Sequence, residues 1–60
     1  MDSNLIEICG DIITDSEDAI LLSDGVSEDW LPRSQIKIRK LSNGYEVIMP
    51  EWLAKKKGFI

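Results

Sequence analysis

The chain has 60 residues, 43% of them hydrophobic, with a formal net charge of -4, one cysteine and no histidine. That length makes one domain (residues 1–60) that buries only ~60% of the surface of its unfolded form. A lone Cys9 excludes an internal disulfide, and one cysteine without histidine excludes an ordinary four-ligand zinc site. The hydrophobic content is too high for a disordered chain, so stability has to come from tight packing or from a partner, of which a second copy is the simplest.

The opening Met1-Asp2-Ser3-Asn4 lacks a basic, apolar leader. No apolar run approaches the ~20 residues of a membrane span, and an unpaired cysteine fits a reducing compartment. A cytoplasmic protein without membrane contact is expected. Charge is unevenly spread. Residues 1–29 hold nine acids and no Lys or Arg, whereas residues 30–60 hold all seven basic residues against Glu46 and Glu51. Either strands from the two halves neutralise each other as neighbours in one sheet, or the molecule carries an acidic and a basic face.

Residues 4–13 alternate with period two: Ile6, Ile8, Gly10 and Ile12 on one side, Glu7, Cys9 and Asp11 on the other. This is a half-buried strand, with Gly10 marking a bulge or bend. Thr14-Asp15-Ser16-Glu17-Asp18 is turn chemistry. Ala19 to Ser23 reads as a second strand, Asp24-Gly25 as a tight hairpin, and Val26 to Trp30 as a third strand with Val26, Glu28 and Trp30 on one face. Pro32 interrupts it, so Leu31-Pro32-Arg33-Ser34 is expected to form a short turn or a single 3₁₀ turn. Gln35 to Leu41 is the fourth strand, with Ile36 and Ile38 opposite Gln35, Lys37 and Arg39. Ser42-Asn43-Gly44 predicts a type I′ hairpin leading to a fifth strand, Tyr45 to Met49.

Pro50 is expected to open a two-turn helix, with Glu51 in its first turn and Lys55, Lys56 and Lys57 in its last, as the helix dipole favours. Gly58 should end it, with Phe59 folding back. Trp52, Leu53 and Phe59 are its expected docking residues. The fold class is mainly β: a small five-stranded barrel with a short C-terminal helix.

Catalytic material is poor. Histidine is absent and the four glycines are isolated, so no phosphate loop forms. Asp15/Glu17/Asp18 is a carboxylate cluster without EF-hand spacing, in a turn where solvated acids are normal. Cys9 lies beside Glu7 and Asp11, which oppose thiolate formation. No catalytic residue, metal site or cofactor is assigned, and the chain is not expected to be an enzyme. The binding material is aromatic and basic: Trp30, Tyr45 and Trp52, with Arg33, Gln35, Lys37 and Arg39. The rings read either as core and core lid or as stacking groups. The cations read either as a solvated face or as a track for single-stranded nucleic acid or a nucleotide.

Two stretches carry a resemblance. Trp30-Leu31-Pro32-Arg33-Ser34-Gln35-Ile36 resembles the short 3₁₀ element before the last strand of SH3-like barrels. Together with Pro50-Glu51-Trp52-Leu53-Ala54-Lys55-Lys56-Lys57-Gly58-Phe59-Ile60, it looks like a group of small phage and prophage proteins. The resemblance implies an SH3-like barrel acting in a bacterial host cell. It gives no activity by itself; the function expected in that context is stoichiometric inhibition of a defence component, by blocking a protein surface or sequestering a nucleotide signal between subunits of a homo-oligomer. The alternative is a single-stranded nucleic-acid-binding accessory of phage replication or recombination.

Overall fold

The computed structural model describes residues 4–60; the reading of the leading Met1–Ser3 lies outside them. Five strands, β1 (Leu5–Asp15), β2 (Ala19–Ser23), β3 (Glu28–Pro32), β4 (Lys37–Leu41) and β5 (Gly44–Pro50), form one antiparallel sheet in the order β3-β2-β1-β5-β4. A 3₁₀ helix, η1 (Arg33–Gln35), links the two edge strands, and α1 (Glu51–Lys57) follows β5. The sheet is mainly antiparallel β as expected, but it is not closed: β3 and β4 each stand at an edge.

The long β1 organises the sheet. Its first half, Leu5 to Gly10, pairs with β5, and its second half, Asp11 to Asp15, pairs with β2. The change of partner falls at Gly10, where an added Cβ would lie 2.2 Å from the Ser23 carbonyl oxygen. Glycine is therefore required there for close approach of two backbones. The expected bulge lies further on. Ile12 pairs with Leu22 and Thr14 with Leu21, so Ile13 is the extra residue. An unpaired residue increases local twist, and the two features together curl the sheet.

Inside the curl, Ile20, Leu22, Leu31, Val47, Met49, Leu53, Ala54 and Phe59 form the buried core, with Ile6, Ile8, Ile12, Ile36 and Ile38 packed against it. Each large side chain so buried contributes about 1.5–3 kcal/mol relative to exposure. The helix covers this concave face. The Glu51 N–H donates to the Asn4 carbonyl (3.1 Å), and at the other end the Ser27 hydroxyl donates to the Gly58 carbonyl (2.9 Å).

Several local expectations change. The Asp24-Gly25 turn is longer than a two-residue hairpin. Asp24 Oδ1 accepts the N–H groups of Val26 (2.8 Å) and Ser27 (2.7 Å), which holds Val26 in an exposed loop and starts β3 at Glu28. These bonds hold the Asp24 carboxyl below its ordinary pKa of 3.8, the Ser27 N–H contributing most. Pro32 closes β3 rather than interrupting it, and β4 starts at Lys37 rather than Gln35. The β4–β5 turn is not type I′. No non-glycine residue among those described has positive φ, so Ser42 and Asn43 make an ordinary turn and Gly44 follows at φ 128°. Pro50 is the N-cap, extended at ψ 146°, rather than the first helical residue. The helix ends as expected: Gly58 is left-handed, its N–H reaches the Lys55 carbonyl and the Phe59 N–H reaches the Ala54 carbonyl. That pair of bonds is the Schellman closure.

Candidate binding faces

Residues opposite each other in an antiparallel ladder project to the same side of the sheet, so the register defines the outer surface row by row. On the β4–β5–β1 half the outer rows are Lys37–Ile48–Glu7 and Arg39–Glu46–Cys9. At the end of this half, where η1 packs, Leu5, Ser34, Gln35, Ile36, Lys37 and Ile48 line an open pocket of about 330 Å³. Its floor is apolar, and Leu5 is 66% exposed. Lys37 stands at the β4 side and makes no ion pair among the described residues.

Arg39, on the same face, is already engaged. Its guanidinium lies 2.7 Å from Glu46 Oε1, with the arginine side chain 68% exposed and the glutamate 10%. The angle falls short of a hydrogen bond, so the contact acts as a charge pair that covers a buried carboxylate. Cys9 is exposed in the same row, as its outward parity implies. The face as a whole is balanced, Lys37 and Arg39 against Glu7 and Glu46, with its positive side at the β4 edge.

On the β1–β2–β3 half the outer rows are Asp11–Ser23–Glu28 and Thr14–Leu21–Trp30. Trp30 is 42% exposed. It projects outward because Leu31, next in the strand, takes the inward place at zero exposure. Asp11 and Glu28, both exposed, lie together in the row next to Leu21–Trp30. At the edge, the Trp30 N–H donates to Asp29 Oδ1 (2.7 Å), and Asp29 also lies 3.9 Å from Lys57 of the helix.

The seven candidate residues thus occupy separate places. Gln35 and Lys37 meet at the pocket and Arg39 shares its face. Arg33 pairs with Asp15 (2.6 Å), and its Nε donates to the Ser16 carbonyl, so it clamps the β1–β2 turn. Tyr45 turns to the inner side, partly buried, with the Lys40 ammonium 4.9 Å from its ring centre. Trp30 lies at the opposite edge. Trp52 does not dock the helix: it is 45% exposed, and Leu53, Ala54 and Phe59 make that contact instead. Sequence reasoning missed Leu5, Ser34, Ile36 and Ile48 as pocket residues. Leu5 and Ile48 carried a signal, being apolar at outward parity beside Glu7 and Glu46. Among the described residues no group of three His, Cys, Asp or Glu is placed to hold a metal, and no helix is long and apolar enough to cross a membrane. No family model, curated protein or solved structure matches the chain.

Proposed function

We propose that the chain is a non-enzymatic binding protein that acts stoichiometrically by laying its acidic, Trp30-centred face on a basic surface of a protein partner. The observation that carries this is the outer row Leu21–Trp30 with Asp11 and Glu28 in the row beside it. A half-exposed tryptophan in a charged surround is the composition of an interface anchor, since tryptophan dominates binding energy at protein contacts. Acidic neighbours add attraction and orientation toward a basic target. A surface that ordinarily holds nucleic acid has that character. With the resemblance to phage proteins, the reading is an inhibitor of a bacterial defence component, working in the host cytoplasm by surface blocking. The curled sheet, with a 3₁₀ helix joining its edge strands, fits an open SH3-like barrel as the scaffold. The single-stranded nucleic-acid reading has less support, because in one copy Trp30 lies at the edge opposite Lys37 and Arg39.

The test is retention of partner from bacterial lysate on the tagged chain, with stoichiometry read from the eluted complex. Trp30→Ala and Glu28→Lys, both at exposed positions, should each weaken the complex, the tryptophan truncation by ~30-fold if it acts as a hot spot. No protein retained in fixed ratio, or retention unchanged in both variants, refutes the proposal.

A further inference from the structure

We infer that the acidic Trp30 face of one copy docks on the Lys37-rimmed pocket of a second copy. Each end of the sheet is an unpaired edge, and the edges differ in charge: β3 carries Glu28 and Asp29, the latter 3.9 Å from Lys57, whereas β4 carries Lys37, Lys40 and Arg39, the last paired with Glu46. Like edges repel and unlike edges attract, so the contact joins different surfaces of the two copies, head to tail.

The β3 edge is poorly equipped for a main-chain ladder. Pro32 has no N–H to give, and the Trp30 N–H is already held by Asp29. The contact is therefore made by side chains. Trp30, with Leu21 behind it, is the projecting element. The receiving element is the pocket floored by Leu5, Ile36 and Ile48, whose volume of about 330 Å³ is at the small end of ligand sites and fits a large ring. An aromatic side chain removes ~150–250 Å² from water when buried, and the same step covers the exposed Leu5. Glu28, two residues before Trp30 and on the same face, then meets Lys37. Glu7 lies across Ile48 on the β1 side, so the acidic face approaches from the β4 side, where the cations are.

A standard interface takes ~800 Å² per partner, about a fifth of this chain's 4091 Å². A single ring in a single pocket covers less, so the association is weak and concentration-dependent. It also hides the face proposed above to block a partner. That consequence rests on the functional reading; the self-association itself does not.

The experiment is sedimentation of the full chain from about 10 µM to about 1 mM at about 0.1 M salt, where charge acts over ~10 Å. Mean mass is expected to rise with concentration and to fall when salt is raised. Trp30→Ala, Glu28→Lys and Lys37→Glu should each move the rise at least tenfold higher in concentration. An equimolar mixture of the Glu28→Lys and Lys37→Glu chains should associate at concentrations where neither does alone, because each supplies the charge the other lacks. A monomer throughout the range overturns the inference. So does unaltered association of the Trp30→Ala chain, or a mixture no heavier than its components. Lys37→Glu leaves the Trp30 face intact and should still retain the lysate partner, so loss of self-association and loss of function are read separately.

Discussion

Gly10→Ala tests the account of how the sheet curls. A 60-residue domain at 0.05–0.15 kcal/mol per residue has a total stability of about 3–9 kcal/mol. The added methyl would sit 2.2 Å from the Ser23 carbonyl oxygen, 3.0 Å from its carbon and 3.1 Å from the Asp24 Cα. All three are backbone atoms, so no side chain can turn aside. Either β1 and β2 separate, breaking the pairing from Asp11 to Asp15, or the bend opens. Overpacking against movable side chains costs about 1–3 kcal/mol; against fixed backbone we expect at least the top of that range. At ~4 °C or more per kcal/mol, the melting temperature should fall by at least about 12 °C. With a parent stability at the lower end of that range, Gly10→Ala does not fold.

Gly25→Ala is the internal control. Gly25 has φ 94° but nothing within 4 Å of its added Cβ, so only backbone strain of about 1–2 kcal/mol applies. Thermal and urea denaturation of both variants gives the comparison. A Gly10→Ala melting temperature within a few degrees of the parent, or a loss no larger than that of Gly25→Ala, refutes the close-approach argument.

Asp24→Asn keeps an Oδ1 acceptor but removes the charge. Because the folded-state pKa of Asp24 is depressed, its carboxylate adds stability that is complete above 3.8 and is lost as pH falls through the lower, folded value. The stability difference between parent and variant, followed by urea titration at a series of pH values, should therefore vanish in strong acid. Arg39→Ala leaves Glu46 buried without its cation; with the arginine largely exposed, water softens the loss to about 1–2 kcal/mol, below the cost of breaking a fully buried pair. Glu46→Gln should cost less in the same denaturation assay, since no charge is then stranded. Leu31→Ala removes a side chain with zero exposure and should cost about 2–5 kcal/mol, whereas truncating its half-exposed neighbour Trp30 should cost less per unit of side chain removed.

The difference between those neighbours shows where the sequence is legible and where it is not. Period-two alternation over residues 6–12 and 36–39 states which residues share a side, and those sides appear as read, although β1 runs on to Asp15 through residues read as a turn and β4 starts only at Lys37. The Gly58–Phe59 helix stop is equally local and equally legible. In β3 the same alternation assigns Trp30 and Leu31 to opposite sides without saying which side is the core. That is decided by the curl, which comes from the Ile13 bulge and the Gly10–Ser23 approach. Nothing in Ile12-Ile13-Thr14 distinguishes the extra residue, because its effect is defined only once β2 is paired. Chemical type singles out the candidate residues, and type does not carry register. Leu5 and Ile48, the apolar residues at outward positions, marked the pocket more directly than the rings did.

Register also explains what became of the charge split at residues 29 and 30. Had β1 and β4 been neighbours, the two halves would have neutralised along a shared ladder. Instead β5 lies between them, and among the described residues only Arg33–Asp15 and Lys57–Asp29 join acid from the first half to base from the second. Arg39–Glu46 and Lys55–Glu51 are pairs within the second half. The split falls inside β3, and η1 carries the chain from that edge directly to the other, so the strands on either side of the split become the two edges of the sheet. A separation along the chain becomes a separation across the molecule. Glu28 and Lys37, one at each edge, make no ion pair among the described residues. Their charges face outward, where the surface of a second copy can meet them.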